Sequence, residues 1–169
     1  MLDIGCADGV LFERYASIGI HGIGVDPRLR TAEERKPGGV RLIRASVSEA
    51  LPALGSFDAI VMLAVLEHIP SPEQANLAKR CVAWLNPGGR VMISVPSPRV
   101  DGILRWLIRF KLADGMSFEE HFGFSPNRVR PLFEKAGLAL SVHETFQLGL
   151  NHLFVFEKPL QMGDKGLHE

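Results

Sequence analysis

Apolar residues in this chain cluster into short runs, separated by stretches in which they recur at helical spacing. Strand patterns fall at residues 2–4, 20–25, 40–45, 57–63, 90–95, 138–145 and 151–158. The run 57–63, Phe-Asp-Ala-Ile-Val-Met-Leu, is almost unbroken, as in a central parallel strand covered on both faces. Val10, Leu11, Tyr15 and Ile18 predict a helix over 10–18, ended by Gly19. The charged stretch 28–36 predicts a short exposed helix, followed by the turn Pro37-Gly38-Gly39. Ser71-Pro72-Glu73-Gln74 predicts a helix start with Ser71 as N-cap, Pro72 at the first helical position and Gln74 closing a capping box. That helix ends before the turn 86–89, Asn-Pro-Gly-Gly. Ser125-Pro126 opens another, which runs to Ala136 before Gly137.

One junction organises the rest. Leu2-Asp3-Ile4 runs straight into Gly5-Cys6-Ala7-Asp8-Gly9, and a helical pattern starts at Val10. In an open α/β sheet, ligands bind beyond the carboxyl ends of the strands, at such a strand–turn–helix junction. Gly5 can take positive φ and carries no side chain, which lets a ligand approach the backbone. N–H groups at the start of the helix attract electron-rich ligand atoms. Asp26, at the tip of the second strand and followed by Pro27, can accept hydrogen bonds from both hydroxyls of a ribose. Together these features predict a bound nucleoside. The spacing Gly5-x-x-x-Gly9 departs from the dinucleotide fingerprint G-x-G-x-x-G, which disfavours an NAD(P)-dependent oxidoreductase.

The same residues resemble the first motif of the class I S-adenosylmethionine (SAM) dependent methyltransferases, D-x-G-C-G-x-G. Asp3, Gly5, Cys6 and Gly9 match it, and Ala7 stands where the motif has its middle glycine. Phe57-Asp58 and the later Leu66-Glu67-His68-Ile69-Pro70 resemble the fourth-strand motif of the small-molecule methyltransferases, and the turn 86–89 resembles the one before their fifth strand. The resemblance runs from Leu2 to about Lys158. It implies a Rossmann-like doubly wound α/β fold: a mostly parallel seven-stranded sheet with a C-terminal antiparallel strand pair, all in one domain spanning 1–169. The chain begins inside the first strand, which is therefore expected to be truncated relative to the family. The alternatives are a shortened record, a misassigned start and an open cofactor site.

The implied function is methyl transfer from SAM to an O, N or C atom of a small-molecule acceptor by in-line displacement, with S-adenosylhomocysteine as product. The implied cofactor-binding residues are Asp3, Gly5, Cys6, Ala7, Gly9, Asp26, Pro27, Ser46, Val47, Leu63 and Ala64. Relatives place an acid after the third strand to meet the adenine amino group; here Ser46 offers a hydroxyl instead, with Glu49 further along. The catalytic candidates are His121, placed by resemblance near the acceptor, and His68. A histidine titrates near neutral pH and could serve as base there; for His68 a loop-orienting role is favoured. No polar N/D-P-P-Y-like motif follows the fourth strand, which points to small-molecule rather than nucleic-acid or protein substrates.

Residues 96–124 are expected to form a lid over the acceptor. Within them 103–112 has an apolar face flanked by Arg105, Arg109 and Lys111, which also suits weak peripheral contact with anionic lipid. Residues 159–169 read as a loose tail. Lys plus Arg and Asp plus Glu both number 19, so no net field draws the chain to nucleic acid, and none is expected as partner. Two cysteines, Cys6 and Cys81, make no disulfide framework, which fits reduced thiols and a cytoplasmic setting. No run has the length of a transmembrane helix, and no spacing marks a metal-ligand cluster. A non-catalytic SAM-fold binding module is the alternative function; oligomeric state is left open.

Overall fold

The computed structural model describes residues 1–47, 54–98 and 124–160. Its strands are β1 (Leu2–Ile4), β2 (Ile23–Val25), β3 (Glu33–Lys36), β4 (Val40–Ile43), β5 (Phe57–Leu63), β6 (Leu85–Pro96), β7 (Ala139–Phe146) and β8 (Asn151–Glu157). They form an eight-stranded sheet in the order β3-β4-β2-β1-β5-β6-β8-β7. β4, β2, β1, β5 and β6 run parallel; β8 is antiparallel to β6, and β7 to β8. This is the doubly wound order with the expected antiparallel pair at the end.

Helices cover both faces. On one, α1 (Val10–Tyr15) lays Phe12 over Cys6, Val40 and Leu42. On the other, α2 (Ser71–Trp84) and α3 (Val129–Ala136) bury Leu77, Ala78, Cys81, Val129 and Phe133 against Leu2, Ile4, Ile60, Met62, Ile93 and Phe156. Parallel strands sandwiched this way bury both of their faces, which is why Ile60, Val61 and Met62, pointing alternately to the two faces, are all apolar and closed to solvent. Lys158 holds the end of α2: its Nζ donates to the carbonyls of Val82 (2.8 Å) and Leu85 (2.7 Å), where a cation opposes the negative end of the helix dipole.

Several expectations are corrected. The sheet has eight strands rather than seven, because the stretch 28–36 forms no helix: it turns and bends as far as residue 32 and continues as β3. β3 pairs antiparallel with β4, Glu33 opposite Ile43 and Lys36 opposite Val40, across the turn Pro37–Gly39. Its residues are charged on both faces because it is an edge strand, so no alternation betrayed it. Instead of a first helical turn, Glu33 meets Arg41 across the ladder, with Nε to Oε1 at 3.0 Å. The second strand starts at Ile23, not residue 20; a Cβ on Gly22 would stand 1.8 Å from the carbonyl oxygen of Met1. Residues 86–89 are an irregularity inside β6, between the pairings Phe57–Leu85 and Ala59–Arg90. Pro70, not Ser71, is the N-cap of α2. Gln74 turns inward and donates to the carbonyls of Leu66 (3.1 Å) and Ile69 (2.8 Å), closing no capping box. A 3-10 turn, Pro126–Arg128, precedes α3, and Ser125 makes no side-chain cap. The helix at 103–112, the 48–53 segment with Glu49, most of the 96–124 lid and the end of the tail lie outside the described residues. Among the described residues, no helix is long and apolar enough to cross a membrane.

Candidate active site

Strand order reverses at β1, with β2 on one side and β5 on the other. The loops after them diverge and leave a crevice at the carboxyl edge of the sheet, where ligands bind in open α/β folds. The described residues form a cleft of about 200 Å³ there, lined on its polar and loop side by Gly5, Pro27, Ser46, Val47, Val65 and His68. A larger cavity, about 350 Å³, lies between α1 and the turn Pro37–Gly39, at the opposite edge. It sits away from the switch point, so its size alone does not make it the site.

Two alanines in left-handed conformation flank the crevice: Ala7 (φ 48°) after β1 and Ala64 (φ 54°) after β5. Such backbone is costly outside glycine and collects at binding loops. Ala7 thus takes a left-handed conformation at the position where the motif has glycine. The Ala64 N–H is held by the carbonyl and the hydroxyl of Ser94, both at 3.1 Å. Gly5 (φ 78°) has a different neighbour from the one expected. A Cβ there would lie 2.3 Å from a methyl of Val65, so its bare face receives the loop after β5.

The loop N–H groups are largely used internally. Those of Gly5 and Cys6 donate to the carbonyl of Val25 (2.8 and 3.3 Å), that of Gly9 to the carbonyl of Cys6 (2.8 Å), and that of Ala7 to Asp26 Oδ2 (3.0 Å). α1 is only six residues long. This is no cradle for a pyrophosphate, which needs several unspent donors at once. The geometry therefore agrees with the glycine spacing in disfavouring a dinucleotide.

Two buried carboxylates lie behind the loop. Asp26, 1% exposed, has its oxygens filled: Oδ1 accepts from the Arg28 N–H (2.8 Å) and Nε (3.1 Å), and Oδ2 from Ala7 N–H and the second Arg28 nitrogen (3.1 Å). Burial alone would raise its pKa; the Arg28 and Ala7 hydrogen bonds overcome this and hold the carboxyl below its usual range. Asp3 is pushed up to about 6, first by burial and then by the charge of Asp26. Cys6, buried under the loop, is pushed up to about 12 by burial and by Asp3 and Asp26; its sulfur would lie 2.7 Å from a Cβ on Gly24. Its thiol is therefore a packing group.

Of the sequence-predicted residues, Gly5, Pro27, Ser46, Val47 and His68 line the cleft. Asp3, Cys6, Ala7, Gly9 and Asp26 lie behind it, in or under the loop, and Leu63 and Ala64 lie exposed at the end of β5. His121 lies outside the described residues. The sequence reading missed Val65, whose packing on Gly5 has no local signal. It also missed Arg28, which the short Asp26-Pro27-Arg28 spacing could have revealed.

A doubly wound sheet with a carboxylate at the tip of β2 and donors withdrawn from the first loop has the architecture of a SAM-dependent methyltransferase. The chain belongs to the methyltransferase domain family, whose model matches residues 1–143. It is 28% identical to the ubiquinone biosynthesis O-methyltransferase of Methylococcus capsulatus, over 96% of this chain and 78% of that protein. It is 35% identical to the Pseudomonas aeruginosa protein of the same name, over 56% of this chain and 43% of that one. A SAM-dependent methyltransferase from Methanosarcina mazei superposes with a TM-score of 0.67 at 19% identity, covering 95% and 92% of the two chains.

The crevice fits such a donor on one condition. Asp26 is the acid expected to hold the ribose, and its lone pairs are taken by Arg28; the Arg28 side chain is 78% exposed and so can swing outward without breaking a core.

Proposed function

We propose that this methyltransferase acts on a small-molecule acceptor at the crevice between β1 and β5, with Asp26 binding the donor's ribose hydroxyls. The observation that carries this reading is Asp26 buried at the switch point beside a loop in which the N–H groups of Gly5, Cys6, Ala7 and Gly9 are already spent. Such a site recognises a neutral diol rather than a phosphate. Asp3 would lie toward the cationic end of the donor, Gly5, Pro27, Ser46 and Val47 would line the adenosine cleft, and Leu63 and Ala64 would face the reacting end. Cys6, Ala7 and Gly9 would shape the loop.

SAM, when bound, supplies a methyl group on a cationic sulfur that an acceptor atom can displace directly. The chain's part is to bind, orient and exclude water, and positioning of this kind can supply roughly 7–11 kcal/mol of a barrier. A hydroxyl acceptor would need a proton taken away: His121 and, from the cleft wall, His68 are the candidates. The names of the O-methyltransferase relatives support an oxygen acceptor. We read the setting as cytoplasmic and the segment 103–112 as part of the acceptor lid, with weak lipid contact as its alternative.

Calorimetry with SAM, S-adenosylhomocysteine and NAD tests the donor assignment. Binding of the first two and not of NAD is expected; binding of NAD alone would overturn it. S-adenosylhomocysteine release across a panel of phenols, lipids and small acids tests the acceptor class. Donor binding without release from any of them would favour a binding module.

A further inference from the structure

The hairpin of β7 and β8 brings together two histidines that no sequence spacing connects. Across its ladder His143 lies opposite Phe154, and His152 opposite Thr145. The two imidazoles are therefore diagonal neighbours on one face, within reach of each other. His143 Nε2 stands 3.0 Å from His152 Nδ1. His143 stacks on Phe154 with ring centroids 4.1 Å apart and planes 9° apart, and Phe154 is buried in the core. His152 lies half-buried beside them, its plane 19° from that of His143. Both ligands thus project from paired strands, with one ring set on a rigid support. Neither histidine lines the crevice: β6 stands between β5 and His152 on β8, and β6 and β8 between β5 and His143 on β7.

We propose that His143 and His152 form a binding site for a borderline divalent transition-metal ion, zinc or nickel. Imidazole nitrogen suits these ions, whereas magnesium and calcium demand oxygen ligands that the pair lacks. Two bonds of about 2.0–2.1 Å from nitrogens at this separation meet at a common ion with an angle of roughly 90–100°, between square-planar and tetrahedral values. In the structure the two nitrogens face each other as donor and acceptor. Turning each ring by roughly 40–45° directs both lone pairs to one point beside the line that joins them, at these bond lengths. Among the described residues, no cluster of three or more His, Cys, Asp and Glu side chains could hold a metal. Water or a ligand therefore completes the coordination. The ion would lie at the rim, independent of the donor assignment above.

The test is calorimetric titration of the tag-free, chelator-stripped chain with zinc chloride and with nickel chloride at pH 7.5. One equivalent is expected to bind. His143→Ala and His152→Ala, each at an accessible position, should weaken it at least tenfold, and His21→Ala should leave it unchanged. Thr145→His adds a third imidazole directly opposite His152 and should tighten binding at least tenfold, an outcome that loss of fold cannot mimic. No binding by the parent chain would overturn the proposal, as would affinity indifferent to His143, His152 and Thr145.

Discussion

Asp26 and Arg28 oppose each other at the residue scale. The guanidinium occupies lone pairs of Asp26, so on the ribose-binding role proposed above the donor must first free the carboxylate. The arginine is 78% exposed, so solvent screens its pairing with the buried carboxylate to roughly 1 kcal/mol or less. Arg28→Ala should therefore tighten S-adenosylhomocysteine binding about two- to fivefold, while Asp26→Ala should weaken it tenfold or more; calorimetry reads both. Asp3 makes a second prediction. Its folded pKa, about 6, lies above the ordinary 3.8, so the native state holds this proton where the unfolded chain has lost it. The stabilising effect of that proton is complete below pH 4 and is lost as pH rises to about 6, a change of roughly 3 kcal/mol at most. Asp3→Asn should raise the melting temperature at pH 7.5 and flatten its decline between pH 4 and 6, while weakening donor affinity. A variant that melts as the parent does at every pH would refute the buried-acid account.

At the scale of elements, the Gly5 turn and the Val65 loop fit each other as a pair. Gly5→Ala combines left-handed backbone with a methyl driven into Val65 and should cost about 2–4 kcal/mol by denaturant unfolding. Adding Val65→Ala should return only the packing share, leaving the backbone cost. Elements with a buried apolar face were legible in the sequence: the run at β5 and the α2 helix announced themselves by apolar spacing, and the β7–β8 pair by its resemblance to the strands that end the family's sheet. β3 did not, because an edge strand with two wet faces has the composition of a solvated helix. The Gln74 contact and the meeting of His143 with His152 were equally hidden, since each depends on a partner that only folding brings near. In the crevice, Asp26 was legible as the acid at a strand tip, but its capture by Arg28 was not.

The whole molecule carries its two thiols in separate cores, Cys6 beneath the first loop and Cys81 under α2. Both are pushed up to about 12, by burial before all else, so neither is a nucleophile near neutral pH. Native protein should take up no iodoacetamide at pH 7.5, and both thiols should react together once denaturant unfolds the chain. Saturating S-adenosylhomocysteine should shift that transition upward, as any ligand of the native state does. Early labelling of Cys6 alone would show the first loop opening by itself.

The short border strand Glu33–Lys36 also limits what the sheet can join. Without it, the apolar β4 would end the array with a bare row of amide and carbonyl groups, an invitation to any partly unfolded chain nearby. A rim of two acids followed by two bases, which already answers Arg41, offers such a chain nothing apolar to zip onto, so the molecule is guarded against fibrous self-association on that side.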